Sequence, residues 1–125
     1  GELLARMRVA LRRADLRDGH EEALFTAGAL RVDRARRQVF VGEREVRLTP
    51  TEYRLLAELV RHAGKVLTHR HLLKEVWGPG RISQTHYLRV YVQQLREKLE
   101  ADPSRPRWLR TEPGVGYRFV QDAGD

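Results

Sequence analysis

Hydrophobic and polar positions repeat along this chain with two periods, and each change of period marks a new element. Within residues 1–14, Leu3, Leu4, Met7, Ala10, Leu11 and Ala14 fall at helical spacing, with Glu2, Arg6, Arg8, Arg12 and Arg13 outside. That is an amphipathic helix. Nothing nearby in the sequence covers its stripe, and a helix this short is marginal alone in water. It reads as the last helix of a preceding domain; packing as an ordinary N-terminal helix on the main core is the alternative. The polar run Asp15–Glu22 reads as the start of a linker over 15–27. Period-two pieces follow at Ala29–Asp33, Gln38–Val41 and Glu45–Leu48, with a fourth β-prone piece at Ala23–Thr26. Val39 and Val41 alternate with Phe40, and Val46 and Leu48 with Arg47, as in antiparallel strands with one wet face. Gly42-Glu43 marks a turn, and so small a sheet needs a helical layer over it.

That layer begins with a full set of helix-start signals. Thr49 is an N-cap, Pro50 suits the first helical position, Glu52 closes a capping box, and Leu48 can staple against Tyr53. The pattern runs through Leu55, Leu56, Leu59 and Val60 to Ala63, and Gly64 fits the left-handed residue after the cap. Thr68 nucleates a second helix, with Leu67 and Leu72 as staple pair, and Trp77-Gly78-Pro79 stops it. Gly78 to Arg81 forms a loop, and Ser83 or Thr85 caps a third helix ending near Ala101-Asp102-Pro103.

In this third helix Leu88, Tyr91, Val92, Leu95 and Leu99 form one apolar stripe, while His86, Arg89, Val90, Gln93 and Glu97 face the other way. The outer face carries arginine suited to guanine, glutamine suited to adenine, and a valine that can meet a thymine methyl. Two short strands, Trp108–Thr111 and Tyr117–Val120, flank Glu112-Pro-Gly-Val-Gly116, where Pro113 and Gly114 take the second and third places of a type II turn. The order helix, helix, recognition helix, hairpin predicts an α+β fold. It is a winged helix-turn-helix with an N-terminal antiparallel sheet, three helices and a C-terminal β-hairpin wing, over residues 28–122.

Charge sharpens this picture because of where it lies. The chain of 125 residues carries a formal +7; residues 61–120 hold twelve basic and five acidic side chains, whereas residues 15–60 hold eight and nine. The excess therefore sits in the half of the chain that holds the recognition helix and hairpin. A polyanion is the partner this implies, since neutralising phosphates releases counterions. A winged-helix module whose same faces bind a protein is the reading from a different class, and salt-dependent binding to duplex DNA separates the two.

Other chemistries find little support. Cysteine is absent, which removes disulfides, thiolate metal sites and cysteine nucleophiles. No apolar run approaches membrane-spanning length and no signal-peptide core is visible, so a cytoplasmic location is expected. His69 and His71 lie on different sides of a helix, and His62 is on another helix with no carboxylate pattern read beside it; metal binding and cofactors are not expected. Ser83 and Ser104 sit in capping or turn contexts, and Glu75, Glu97, Glu100 and Asp102 read as ordinary helix-face or terminus carboxylates. Gly78-Pro-Gly80 and Gly114-Val-Gly116 lack the surroundings of a phosphate-binding loop. No enzymatic constellation emerges.

The stretches Leu48-Thr-Pro-Thr-Glu-Tyr-Arg-Leu-Leu56, Gly64-Lys-Val-Leu-Thr-His-Arg-His-Leu-Leu-Lys-Glu-Val-Trp-Gly78, Leu95-Arg-Glu-Lys-Leu99 and Gly114-Val-Gly-Tyr-Arg118, in this order, resemble the effector domain of OmpR/PhoB-type response regulators. Within that family, Val76-Trp-Gly-Pro79, His86-Tyr-Leu-Arg-Val-Tyr91 and Asp102-Pro-Ser-Arg-Pro-Arg107 are most similar to the regulators of a potassium-uptake operon. The resemblance implies that residues 1–14 end a phosphorylatable receiver domain. It implies major-groove contacts from His86, Arg89, Val90, Gln93, Gln94 and Arg96, with Gln94 and Arg96 toward the flanks. Wing contacts would come from Arg110, Val115 and Arg118, and phosphate contacts from Thr68, Arg70 and Trp77. Pro113 stands where many relatives carry a basic residue. Partners implied are double-stranded DNA as promoter direct repeats, RNA polymerase at Pro79, Gly80, Arg81 and Ile82, a sensor histidine kinase acting through the receiver, and a second copy of the chain on DNA.

Overall fold

The computed structural model describes residues 23–121 and builds seven strands and three α-helices. The expected receiver helix over 1–14 lies outside the described residues. Strands β1 (Leu24–Ala27), β2 (Leu30–Asp33), β3 (Gln38–Val41) and β4 (Arg44–Val46) form an antiparallel sheet in sequence order. β1 falls inside the stretch 15–27 read as linker, so the folded unit starts earlier than the expected boundary at residue 28. Pairing with β2 accounts for this, since Phe25 faces Val32 and Ala27 faces Leu30. Alternation holds on the inner face, where Leu30, Val32, Val39 and Val46 are buried, while Arg31 stays exposed and lies over the Phe40 ring at 5.0 Å.

Helix α1 (Pro50–Arg61) starts as its sequence specifies. The Thr49 hydroxyl accepts from the Glu52 N–H at 3.2 Å and the Glu52 carboxylate accepts from the Thr49 N–H at 2.9 Å. Its end differs. The helix stops before Ala63, with His62 as C-cap, and Gly64 lies beyond it at φ +88°, giving its N–H to the Phe119 carbonyl at 2.8 Å. Gly64 thus leaves for a distant strand beyond a last turn closed by the Ala63 N–H on the Val60 carbonyl at 3.1 Å.

Strand β5 (Val66–Thr68), unforeseen in the sequence, leads into α2 (His69–Trp77), where the Thr68 side chain accepts from the His71 N–H at 3.0 Å. A short 3₁₀ turn, Pro79–Arg81, joins α2 to α3 (Thr85–Leu99). Neither Ser83 nor Thr85 caps α3; Gln84 holds that position without a side-chain bond to the helix. Consecutive backbone turns take over the task, Gln84 N–H reaching Arg81 O at 3.0 Å and Tyr87 N–H reaching Gln84 O at 3.1 Å, while Arg81 donates to the Gln84 side-chain oxygen at 3.2 Å. α3 ends at Leu99, before the expected Ala101-Asp102-Pro103, because Glu100 turns extended.

Strands β6 (Leu109–Glu112) and β7 (Gly116–Phe119) form the wing, and β7 also pairs with β5, giving the order β5-β7-β6. The turn matches its residues: Val115 N–H bonds Glu112 O at 2.9 Å and Gly114 takes φ +75°, a conformation that costs a side-chain-bearing residue dearly. One apolar core joins the layers through Leu30, Leu55, Leu72, Leu95, Leu109 and Phe119, and Phe25 meets Phe119 edge-on at 5.4 Å. The recognition helix packs on α1 and α2, which leaves its outer face turned away from that core.

Candidate nucleic-acid interface

The apolar stripe of α3 is buried at Leu88, Val92, Leu95 and Leu99, with Tyr91 half-buried against Trp77 at 5.2 Å. Turning about 100° per residue, the helix therefore sends His86, Arg89, Val90, Gln93 and Glu97 to solvent, and all five are exposed. Val90 is 43% exposed, high for a valine. Gln94 is half-buried at the edge of this face, and Gln93 approaches Glu97 at 3.4 Å along it. Between helix and wing runs a groove lined by His86, Arg89, Val90, Gln93, Gln94 and Tyr117. His86, Arg89, Val90, Gln93 and Gln94 present donors, acceptors and a methyl surface, the chemistry that base edges recognise.

Arg96 has a different situation. It is half-buried, donates to the Leu109 carbonyl at 2.9 Å and to the Thr111 hydroxyl at 2.6 Å, and lies over the Tyr117 ring at 5.8 Å. Burial lowers the pKa of its guanidinium, with Tyr117 and Glu100 working in the opposite direction; the group stays charged at neutral pH. Its donors are thus directed at strand β6, so this side chain ties wing to helix.

On the wing, Val115 stands at the tip with 49% exposure. Arg110 and Arg118 face each other across β6 and β7, a like-charge pair that Glu112 relieves by meeting Arg118 at 2.7 Å. Arg110 is exposed; Arg118 is half-buried. The start of α2 abuts the tip, the His69 N–H reaching the Val115 carbonyl at 3.3 Å. Thr68 and Arg70 are exposed there, and Trp77 is half-buried at the other end of the helix. In the loop, Pro79, Gly80 and Arg81 are exposed and Ile82 half-buried.

Two arrangements escaped the sequence reading. Glu100, by its sequence position an ordinary terminus carboxylate, is 6% exposed and accepts the N–H groups of Arg107, Trp108 and Leu109 at 2.7, 3.0 and 2.9 Å. It fixes the entry to the wing relative to the end of α3. Its only sequence signal was a glutamate beside a loop rich in proline and arginine. The other arrangement lies at His62. A carboxylate does stand beside it: Glu58, one turn earlier on α1, lies 3.3 Å from the His62 ring and 2.6 Å from that of His71 on α2. Helical spacing of four contained the first pair; only the packing of α1 on α2 brings in the second.

Comparison with known proteins places this geometry. The family described as "Transcriptional regulatory protein, C terminal" matches residues 43–119. The chain is 53% identical over 120 residues to the KDP operon transcriptional regulatory protein KdpE of Escherichia coli, covering 96% of this chain and 53% of that protein. It is 49% identical over 118 residues to KdpE of Mycobacterium tuberculosis, covering 94% and 52%. The chain thus spans about half the length of these relatives. Among solved structures, the Klebsiella pneumoniae RstA DNA-binding domain in complex with RstA box superposes with a TM-score of 0.69 at 30% identity, covering 78% of this chain and 97% of that one. The DNA-binding domain of CpxR from E. coli gives 0.66 at 30% identity, covering 80% and 98%. No helix among the described residues is long and apolar enough to cross a membrane. With its sheet, three helices and wing in the arrangement of those domains, the chain belongs to the winged-helix DNA-binding domains of OmpR/PhoB-type response regulators.

Proposed function

We propose that this domain reads a promoter by laying α3 in a major groove, and that its target is an operon of the potassium-uptake kind that the KdpE relatives are named for. The observation that carries the reading is the exposed Arg89, Val90 and Gln93 face beside the wing. Arg89 and Gln93, one helical turn apart, address guanine and adenine edges; Val90 addresses a thymine methyl; His86 and Gln94 serve the flanks. Val115 and Arg110 approach the neighbouring minor groove or backbone, with Arg118 held by Glu112 beside them. Thr68, Arg70 and Trp77 meet phosphates, fixing register. Arg96 acts by positioning the wing.

A single module of this kind buries roughly 600–1,000 Å² on DNA. Two copies on direct repeats, coupled through a receiver that a sensor kinase phosphorylates, gain avidity on the order of 10²–10⁴. The loop Pro79–Ile82, exposed over its first three residues, is the surface offered to RNA polymerase. Selection of bound duplexes from a random pool, followed by salt titration, tests the reading. Expected are an enriched directly repeated motif and affinity falling steeply with salt. Absence of any enriched motif, with salt-insensitive weak binding, would refute it and favour a protein-binding module.

A further inference from the structure

We propose that Glu58, His62 and His71 form a binding site for a zinc-like divalent transition metal, joining the C-terminal end of α1 to the first turn of α2. Their ligand-capable atoms all lie within 4.8 Å of one another. Both imidazole Nε2 atoms converge on the same carboxylate oxygen, Glu58 Oε2, at 3.3 Å from His62 and 2.6 Å from His71. The rings stand nearly perpendicular, centroids 5.7 Å apart and planes at 85°, so they approach the carboxylate from different directions instead of stacking.

The donor set selects the class of ion. Two imidazoles and one carboxylate suit zinc and its first-row neighbours, whereas calcium and magnesium require oxygen ligands. Geometry agrees. With bonds of about 2.0–2.2 Å, a tetrahedral ion holds neighbouring ligand atoms roughly 3.3–3.5 Å apart. The His62 to Glu58 separation already has that value. The His71 to Glu58 separation must open by roughly 0.8 Å, a small swing for a ring whose side chain is 36% exposed. The Glu58 carboxylate is anchored, its side chain only 11% exposed, and Arg61, 68% exposed, reaches its other oxygen at 4.0 Å from the solvent side. Three protein ligands leave a fourth position open to water. An ion there replaces the shared proton of the His71 to Glu58 hydrogen bond as the link between the two helices, and its uptake releases protons when either ring is protonated. The site stands apart from the outer face of α3, and the proposal holds whatever DNA sequence that face reads.

The test is calorimetric titration of the metal-free chain with zinc chloride, repeated by thermal melting and with cobalt(II) as a spectroscopic probe. One equivalent of zinc should bind, raise Tm by several degrees, and give a tetrahedral cobalt absorption. His62→Gln and His71→Gln, which keep hydrogen-bonding capacity, should each weaken zinc affinity by about tenfold or more, while His69→Gln leaves it unchanged. Circular dichroism of the metal-free variants establishes that they are folded. Binding that survives in the His62→Gln/His71→Gln double variant, or no binding by the folded parent chain, would overturn the assignment.

Discussion

Replacing Glu100 by glutamine leaves the side chain's volume almost unchanged and removes its charge, which isolates what the carboxylate does. Its Oε2 accepts from Trp108 and Leu109, and its Oε1 accepts from Arg107. A glutamine can place its one oxygen at the Oε2 position and keep two of these bonds, but its amide nitrogen then confronts the Arg107 N–H, donor against donor, across a gap that was 2.7 Å. Setting two donors against each other at this part-buried position costs about 1–3 kcal/mol, and the two surviving bonds lose charge assistance that roughly doubles such a bond's strength. The sum is a destabilisation of about 2–4 kcal/mol, a large part of the roughly 5–15 kcal/mol by which a domain is stable. In urea, with a slope near 1–1.5 kcal/mol per molar, the midpoint should fall by roughly 1.3–4 M. Glu97→Gln, on the exposed face of the same helix, should stay within about 0.5 kcal/mol of the parent. A midpoint for Glu100→Gln within about 0.4 M of the parent would refute the argument that this carboxylate organises the junction of α3 and the wing.

A Cβ on Gly116 would lie 1.8 Å from the Leu67 carbonyl oxygen and 2.9 Å from Thr68 Cα; Gly116→Ala should therefore part β5 from β7 and cost about 2–4 kcal/mol in thermal or urea melts, and a variant as stable as the parent would contradict that close approach. Arg89→Ala should weaken operator binding by about 1–3 kcal/mol and relax preference at one base position in a selection experiment; equal loss on every sequence would make Arg89 a phosphate contact. Substituting Arg81 should lower transcription activation in a reconstituted promoter assay while operator affinity in gel-shift titration holds, and a parallel loss of both would place the loop on DNA or in the folding core.

Periodicity alone determined the helices, because burial of one stripe at helical spacing is a property of neighbouring residues. Thr49-Pro50 with Glu52, and Thr68 before His69, encoded their helix starts for the same local reason, and both caps formed. The outward face of α3 followed as well, since fixing Leu88, Val92, Leu95 and Leu99 inward fixes Arg89 and Gln93 outward. What depended on contacts between distant segments was not legible. Three residues of β5 carry no convincing strand signal of their own and become a strand by pairing with β7. Beyond the end of α1 Gly64 finds Phe119, and α3 ends where Glu100 finds the backbone of Arg107, Trp108 and Leu109. Arg96, indistinguishable by spacing from a flank contact, is directed to the wing by Leu109 and Thr111. Glu58, His62 and His71 meet because α1 packs on α2. Local energetics wrote the elements and their faces; partner choice among polar groups belonged to the tertiary fold, because a hydrogen bond's partner is set by position in space and not by distance along the chain.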